Sequence, residues 1–240
     1  MEAIIYIAHG SRREAANEKF RIFIKKVMEQ STAAIQAYGY LEHAEPSINQ
    51  AIARCIEQGA DEIKVVPVFL LPGIHANIDI PVELEKHQNI VCHYGKPLGV
   101  DDIMTEILVT RLAEAGFAKR EEETVLLVGH GSRVPEAEVE FEKLAKRLAK
   151  KIDRAVHTAY LTTSPFYHET AERLLGQKVY ILPHFLFSGG YNIKIKKELD
   201  KTDGMIFCSP VGFDDKLISL IEKRTSEVGN DHKLSDYVTA

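Results

Sequence analysis

The hexapeptide Ile7-Ala8-His9-Gly10-Ser11-Arg12 returns as Val128-Gly129-His130-Gly131-Ser132-Arg133, an offset of 121 residues. Three more echoes follow in the same order. Tyr40-Leu41 returns as Tyr160-Leu161, Pro67-Val68-Phe69-Leu70 as Pro183-His184-Phe185-Leu186, and Gly99-Val100-Asp101-Asp102 as Gly212-Phe213-Asp214-Asp215. An order kept while the offset shrinks slowly is the mark of a duplicated domain with small deletions. Whatever half of the 240 residues folds into, the chain must make it twice, and a chain of this length has room for two small domains with a core each. The charged stretch Ala118-Lys119-Arg120-Glu121-Glu122-Glu123 reads as the linker. The expected domains are 1–118 and 124–228, with a polar tail over 229–240.

Within each copy, short β-branched runs alternate with longer amphipathic stretches, the pattern of a parallel sheet with helical crossovers. The first copy predicts strands at Ala3–Ala8, Ala33–Tyr38, Glu62–Val68 and Ile90–Tyr94, with helices over Arg13–Glu29, Ser47–Gln58, Ile78–Lys86 and Asp101–Ala115. The second predicts strands at Thr124–Val128, Val156–Tyr160, Lys178–Leu182 and Met205–Cys208, each followed by a helix. Ser11 is placed to cap the first helix, Glu45-Pro46-Ser47 to open the second, and Gly59 and Gly116 to close helix ends.

Composition removes several classes of function. Lys+Arg 30 against Asp+Glu 35 gives a formal charge of −5, without the basic excess that phosphate-backbone binding needs, so no nucleic-acid partner is expected. The longest apolar run, Val65 to Ile74, holds two prolines and is well short of the roughly 18–20 residues that cross a bilayer. No membrane partner is expected, and the acidic start, without a secretory pattern, predicts a cytoplasmic protein. Cys55, Cys92 and Cys208 are too scattered for zinc, an iron–sulfur cluster or dithiol chemistry, and read as reduced thiols.

In an open parallel sheet, ligands bind beyond the carboxyl ends of the strands. His9 follows the first predicted strand, Glu42 the second, and His75 lies in the loop Leu71-Pro72-Gly73-Ile74-His75 after the third. Two imidazoles and a carboxylate on one rim suit a borderline divalent cation such as iron(II), cobalt(II) or nickel(II), and the same groups can carry protons. Each alone also has a bland reading as a loop hydrogen-bonding residue. Glu45 is a rival to Glu42, although its place beside Pro46 suits the start of the second helix. His43 is expected to be solvated, because neighbours in extended chain face opposite ways. His87, His93, His157, His168 and His232 are read as surface residues. In the second copy His130 repeats His9, but Thr162 stands for Glu42 and Tyr191 for His75. His184, expected close to His130, is at best a partial substitute, so the second copy is expected to form the opposite wall of a cleft.

Taken together, the H-G-S-R after the first strand, the segment Tyr40-Leu41-Glu42 followed by Pro46-Ser47-Ile48, the V-V-P-x-F-L-x-x-G-x-H loop ending in His75, and the duplication resemble the class II tetrapyrrole chelatases. The likeness is to their two-domain sirohydrochlorin chelatases, and covers Met1 to about Glu227. It implies two tandem flavodoxin-like, three-layer α/β domains with parallel four-stranded sheets and a cleft between them. It also implies insertion of Fe2+ for siroheme, or Co2+ for cobalamin, into sirohydrochlorin, with His9, Glu42 and His75 as metal-binding and catalytic residues. No permanently bound cofactor and no iron–sulfur cluster are implied; the metal is a substrate. Because that macrocycle is a polycarboxylate, Ser11, Arg12 and Arg13 at a helix start are candidates to bind it, with Gly73 allowing close backbone approach. Lys96, Arg133, Lys194 and Lys196 are weaker candidates. A duplicated chain brings its own two halves, so a monomer is expected. Two other readings stand beside this one. A metal or tetrapyrrole carrier or sensor would use the same ligands. A histidine phosphatase would be expected to show Arg directly before the His, where Ala8 stands.

Overall fold

Strand β1 (Glu2–Ala8) is buried at six of its seven positions, which marks it as the centre of a sheet covered on both faces. In the computed structural model, which describes residues 1–187, 189–200 and 202–229, β1 pairs in parallel with β2 (Ile35–Tyr40) on one side and β3 (Glu62–Pro67) on the other. Strand β4 (Val91–Tyr94) extends the β3 edge, giving the order β2-β1-β3-β4. The crossovers are α1 (Glu14–Gln30), α2 (Ile48–Glu57), and a π-helical turn (His75–Asp79) that runs into α3 (Ile80–Glu85). Helix α4 (Asp102–Glu114) closes the first repeat. The second repeat runs β5 (Glu123–Gly129), α5 (Pro135–Ile152), β6 (Val156–Tyr160), α6 (Tyr167–Arg173), β7 (Lys178–Pro183), α7 (Gly189–Leu199), β8 (Met205–Phe207) and α8 (Leu217–Glu227). Its sheet order, β6-β5-β7-β8, is that of the first.

Ile5, Ile7, Ile52, Ile63 and Val65 are fully buried in the core on one face of the first sheet; Leu126, Val128, Val179 and Ile181 are their counterparts in the second. Ser47 caps α2 in a reciprocal box with Gln50, and the Glu45 carboxylate accepts the Ser47 N–H at 3.1 Å, so Glu45 serves the helix start.

Three expectations change. Strand β2 begins two residues later than predicted, because Ile35 and Ala37, not Ala33, are the residues that pack into the core. The third crossover helix begins at His75, not Ile78. Pro81 in the first turn of α3 has no N–H and crowds the carbonyl four residues before it, a setting in which a π-turn relieves the preceding helix. Glu123 is no linker residue: it opens β5, its side chain is fully buried, and it accepts from Lys178 Nζ at 2.9 Å, the Ala118 N–H at 2.8 Å, the Arg120 N–H at 3.1 Å and Tyr180 Oη at 3.1 Å. Burial by itself would raise that carboxyl, but these donors outweigh it and hold the group at about 2.

The compact units are not the two sequence repeats. One comprises Met1–Gly99 together with the chain from Asp215 through α8; the other is Val100–Asp214. Helix α8 packs on β3 and α1, whereas α4 packs on α5 and β7. Each exchanged helix is held by an arginine. Arg224 on α8 donates to the carbonyls of Pro97 at 3.1 Å and Leu98 at 2.6 Å, and Arg111 on α4 to those of Pro210 at 2.9 Å and Val211 at 3.3 Å. The two arginines are 113 residues apart, the offset of the loops they grip, so the anchor belongs to the duplication. The expected tail lies, from residue 230 and with His232, outside the described residues.

Candidate metal centre

Strands β2, β1 and β3 are neighbours, so the residues leaving their carboxyl ends share one rim of the sheet, at the place where crossovers depart in opposite directions. His9 leaves β1. The Leu41 N–H donates to the Ala8 carbonyl at 2.9 Å and the Glu42 N–H to the His9 carbonyl at 3.0 Å, so the chain after β2 stays zipped to the chain after β1. Gly10 makes this approach possible: its φ is +89°, and a Cβ there would stand 1.9 Å from the Glu42 carbonyl oxygen.

His9 Nε2 lies 3.2 Å from Glu42 Oε1, and the His9 and His75 rings meet edge to face at 4.7 Å between centroids. One ligand atom from each of His9, Glu42 and His75 lies within 4.8 Å of the others; among the described residues this is the one such group of three or more His, Cys, Asp and Glu side chains. The side chains are 35%, 43% and 46% exposed, which leaves the trio open to an arriving ion. His9 Nδ1 lies 3.0 Å from the Gly10 carbonyl and His75 Nδ1 2.7 Å from Asp79 Oδ2. A ring whose Nδ1–H is donated in this way presents an unprotonated Nε2 to a metal. Burial first, then the nearby His75 and His43 imidazoles, lower the His9 pKa against the opposing pull of the Gly10 carbonyl and Glu42, which favours the neutral imidazole.

Two residues at this site escaped the sequence reading. Asp79 supports His75 across one turn; the i, i+4 spacing is visible in the sequence, but only once the helix is known to begin at His75. His43 is the other. Its φ of 65° breaks the alternation expected of extended chain, and its Nε2 comes to 3.2 Å from the same Glu42 oxygen that His9 meets. His43 is exposed, as expected, but it does not face away from Glu42 as extended chain would have it.

Ser11 does not cap α1, whose N-cap position is Arg13; its Oγ instead accepts the Arg13 N–H at 3.1 Å, and its backbone is clasped by Asn17. Arg12 and Arg13 are exposed beside the helix start. The Gly73 carbonyl accepts the Asn77 N–H at 2.8 Å, so Gly73 lies at the approach to the π-turn.

The second unit keeps the backbone and changes the side chains. His130 Nδ1 lies 3.1 Å from the Gly131 carbonyl, but its Nε2 meets Tyr191 Oη at 3.2 Å, and the Thr162 hydroxyl donates to the His130 carbonyl at 2.8 Å. His184 is 3% exposed, its ring lies 5.5 Å from that of Phe141 and tilted by 46°, and its Nε2 meets no hydrogen-bonding group of the described residues. Burial drives its pKa down to about 3. It does not supplement His130.

Both repeats match one family profile, that of CbiX, over residues 3–115 and 124–228. The chain is 35% identical over 254 residues to a sirohydrochlorin ferrochelatase of Priestia megaterium, covering 99% of this chain and 96% of that protein. It is 32% identical to a sirohydrochlorin cobaltochelatase of the same organism, covering 95% and 80%. Among solved structures, SirB from Bacillus subtilis with Fe3+ superposes with a TM-score of 0.86 at 29% identity over 94% of both chains. With the duplicated sheets, their common strand order and both profile matches in agreement, the chain belongs to the CbiX family.

Proposed function

We propose that this protein inserts Fe2+ or Co2+ into sirohydrochlorin, releasing two protons, and that the work is done in the unit that carries His9, Glu42 and His75. The observation that carries the reading is the convergence of three metal-ligating atoms within 4.8 Å at the ends of adjacent strands, in a chain whose relatives are named for this chemistry.

A divalent ion entering a free-base macrocycle must shed its ligands while two pyrrole N–H protons leave. The site therefore needs exchangeable ligands and proton acceptors together. His9 and His75 hold and deliver the ion through Nε2, with Asp79 fixing the orientation of His75. Glu42 binds the ion or takes up protons from the macrocycle. The exposure of all three side chains leaves them within reach of a flat substrate laid over the rim. Arg12 and Arg13, exposed beside the start of α1, are assigned to the substrate's carboxylates, with Ser11 and Gly73 shaping the adjoining backbone. In this reading the chain acts as a monomer in the cytoplasm, without nucleic acid or a membrane. A net charge of −5 speaks against a nucleic-acid partner, and among the described residues no helix is long and apolar enough to cross a bilayer.

The test is anaerobic incubation with sirohydrochlorin and either metal, following the macrocycle's visible spectrum. Multiple turnovers above the spontaneous rate, lost in His9→Ala and His75→Ala, are expected. Binding of one equivalent without turnover would overturn catalysis and make the protein a carrier.

A further inference from the structure

Glu42 Oε1 has two imidazole neighbours. His9 Nε2 and His43 Nε2 each lie 3.2 Å from it, and the two rings stand 6.1 Å apart, tilted by 46°. Two atoms bound to one ion through bonds of about 2.1 Å are separated by about 3.0 Å at a right angle and about 3.4 Å at the tetrahedral angle. Both pairs fall inside that window, so Glu42 forms one ligand edge with His9 and another with His43. The arrangement is built by the backbone. His43 takes a φ of 65°, a left-handed conformation uncommon for a residue with a side chain, and this turns its ring to the same carboxylate as His9 when extended chain would turn it away. In the second repeat Thr163 stands at the matching position and offers no imidazole.

We propose that His43 is a fourth protein ligand for the divalent cation, sharing Glu42 with the His9 edge. The His9–Glu42–His75 set then overlaps a Glu42–His43 edge, and the ion can release His75 while the protein still holds it from the β2 side. A site that must give its ion away gains from such an overlap, because ligands are exchanged one at a time with no step in which the bare ion is lost to water. The role as a handover ligand rests on the chelatase reading; the ligation itself does not.

The experiment is equilibrium binding of Co2+ to the full chain without any macrocycle, read by calorimetry and by the visible d–d bands. His75→Ala, His43→Asn and the double variant are compared with the unsubstituted protein. Asn is chosen because it tolerates a left-handed φ, so the loop keeps its shape. His43→Asn alone is expected to weaken Co2+ about two- to tenfold and to change the band shape. His75→Ala is expected to keep one weakened equivalent, and adding His43→Asn to lower that residual affinity at least tenfold. If His75→Ala and the double variant bind with the same affinity and spectrum, the proposal is wrong. Failure of the chelatase reading would show separately, as wild-type protein that binds Co2+ and never turns over sirohydrochlorin.

Discussion

The two repeats carry the same backbone to the same rim and arm it differently. Where the first has His9, Glu42, His75 and Asp79, the second has His130, Thr162, Tyr191 and the buried Ile195. The parts that survive in both are those the fold needs: a glycine with φ near +90° after the first strand, the parallel zipper between the chains leaving the first two strands, and an arginine gripping the exchanged helix. The parts that differ are those that would bind a cation. In the second unit the tyrosine hydroxyl occupies His130 Nε2, so a hydrogen bond takes up the valence that the first unit leaves open. Scaffold and ligand set are thus separable within one chain.

The comparison is broken most directly at its first pair. His9→Ala and Glu42→Gln are each expected to weaken Co2+ at least about 100-fold in a calorimetric titration, a change of about 2.7 kcal/mol, while His130→Ala stays within about twofold. Comparable losses at both histidines would end the asymmetry. Conversely, Thr162→Glu combined with Tyr191→His should restore a second, weaker equivalent of Co2+. A titration that still closes at one equivalent would mean that backbone placement alone does not make the site.

The arginine pair sharpens the other half of the argument. Removing either guanidinium strands carbonyls of a gripped loop, so Arg111→Ala and Arg224→Ala should each destabilise their own unit by about 2–3 kcal/mol in denaturant unfolding. Markedly unequal losses would count against a duplicated anchor. Asp79→Ala is expected to cost about tenfold or somewhat more in metal affinity, through His75 orientation, with Asp79→Asn recovering part because its amide oxygen still accepts the Nδ1–H.

A further comparison concerns Val68 and His184, which occupy matching positions. The unfolded chain protonates this histidine near pH 6.5, whereas the buried folded one resists down to about 3. Its folded pKa is depressed, so stability is intact above about 6.5 and falls as the pH drops towards the folded value. His184→Val, which copies the first repeat, should remove that dependence, and between pH 7 and 5 the variant should lose about 2 kcal/mol less than the parent. Parallel stability profiles would show that His184 is not held neutral.

Much of this was legible in the residues. The repeat fixes two matching sheets, and the rule that parallel strands present their carboxyl ends to ligands puts His9, Glu42 and His75 on one rim before any coordinate is seen. What stayed hidden depends on local handedness and on tertiary choice. The φ of His43 follows from how the loop after β2 meets its neighbours, and a pattern of alternation cannot report it. Asp79 was hidden because the helix was expected to begin at Ile78, when it widens ahead of Pro81 and takes in His75. Glu123 looks like solvated linker because its charge is visible and its donors, Lys178 and Tyr180, are distant in sequence. The partner of α4 was equally out of reach, since an apolar helix face does not say which of two similar sheets it covers.

That exchange of helices changes what cutting this chain would mean. Severing the backbone within 118–123 would separate the sequence repeats, yet each fragment would carry a helix that belongs to the other's core and lack the one its own sheet requires. Neither piece is then a folding unit, and the two should regain structure by complementation when mixed, each lending its last helix. The two copies are thereby tied together, each half of the sequence supplying a helix to the compact unit built on the other half's sheet.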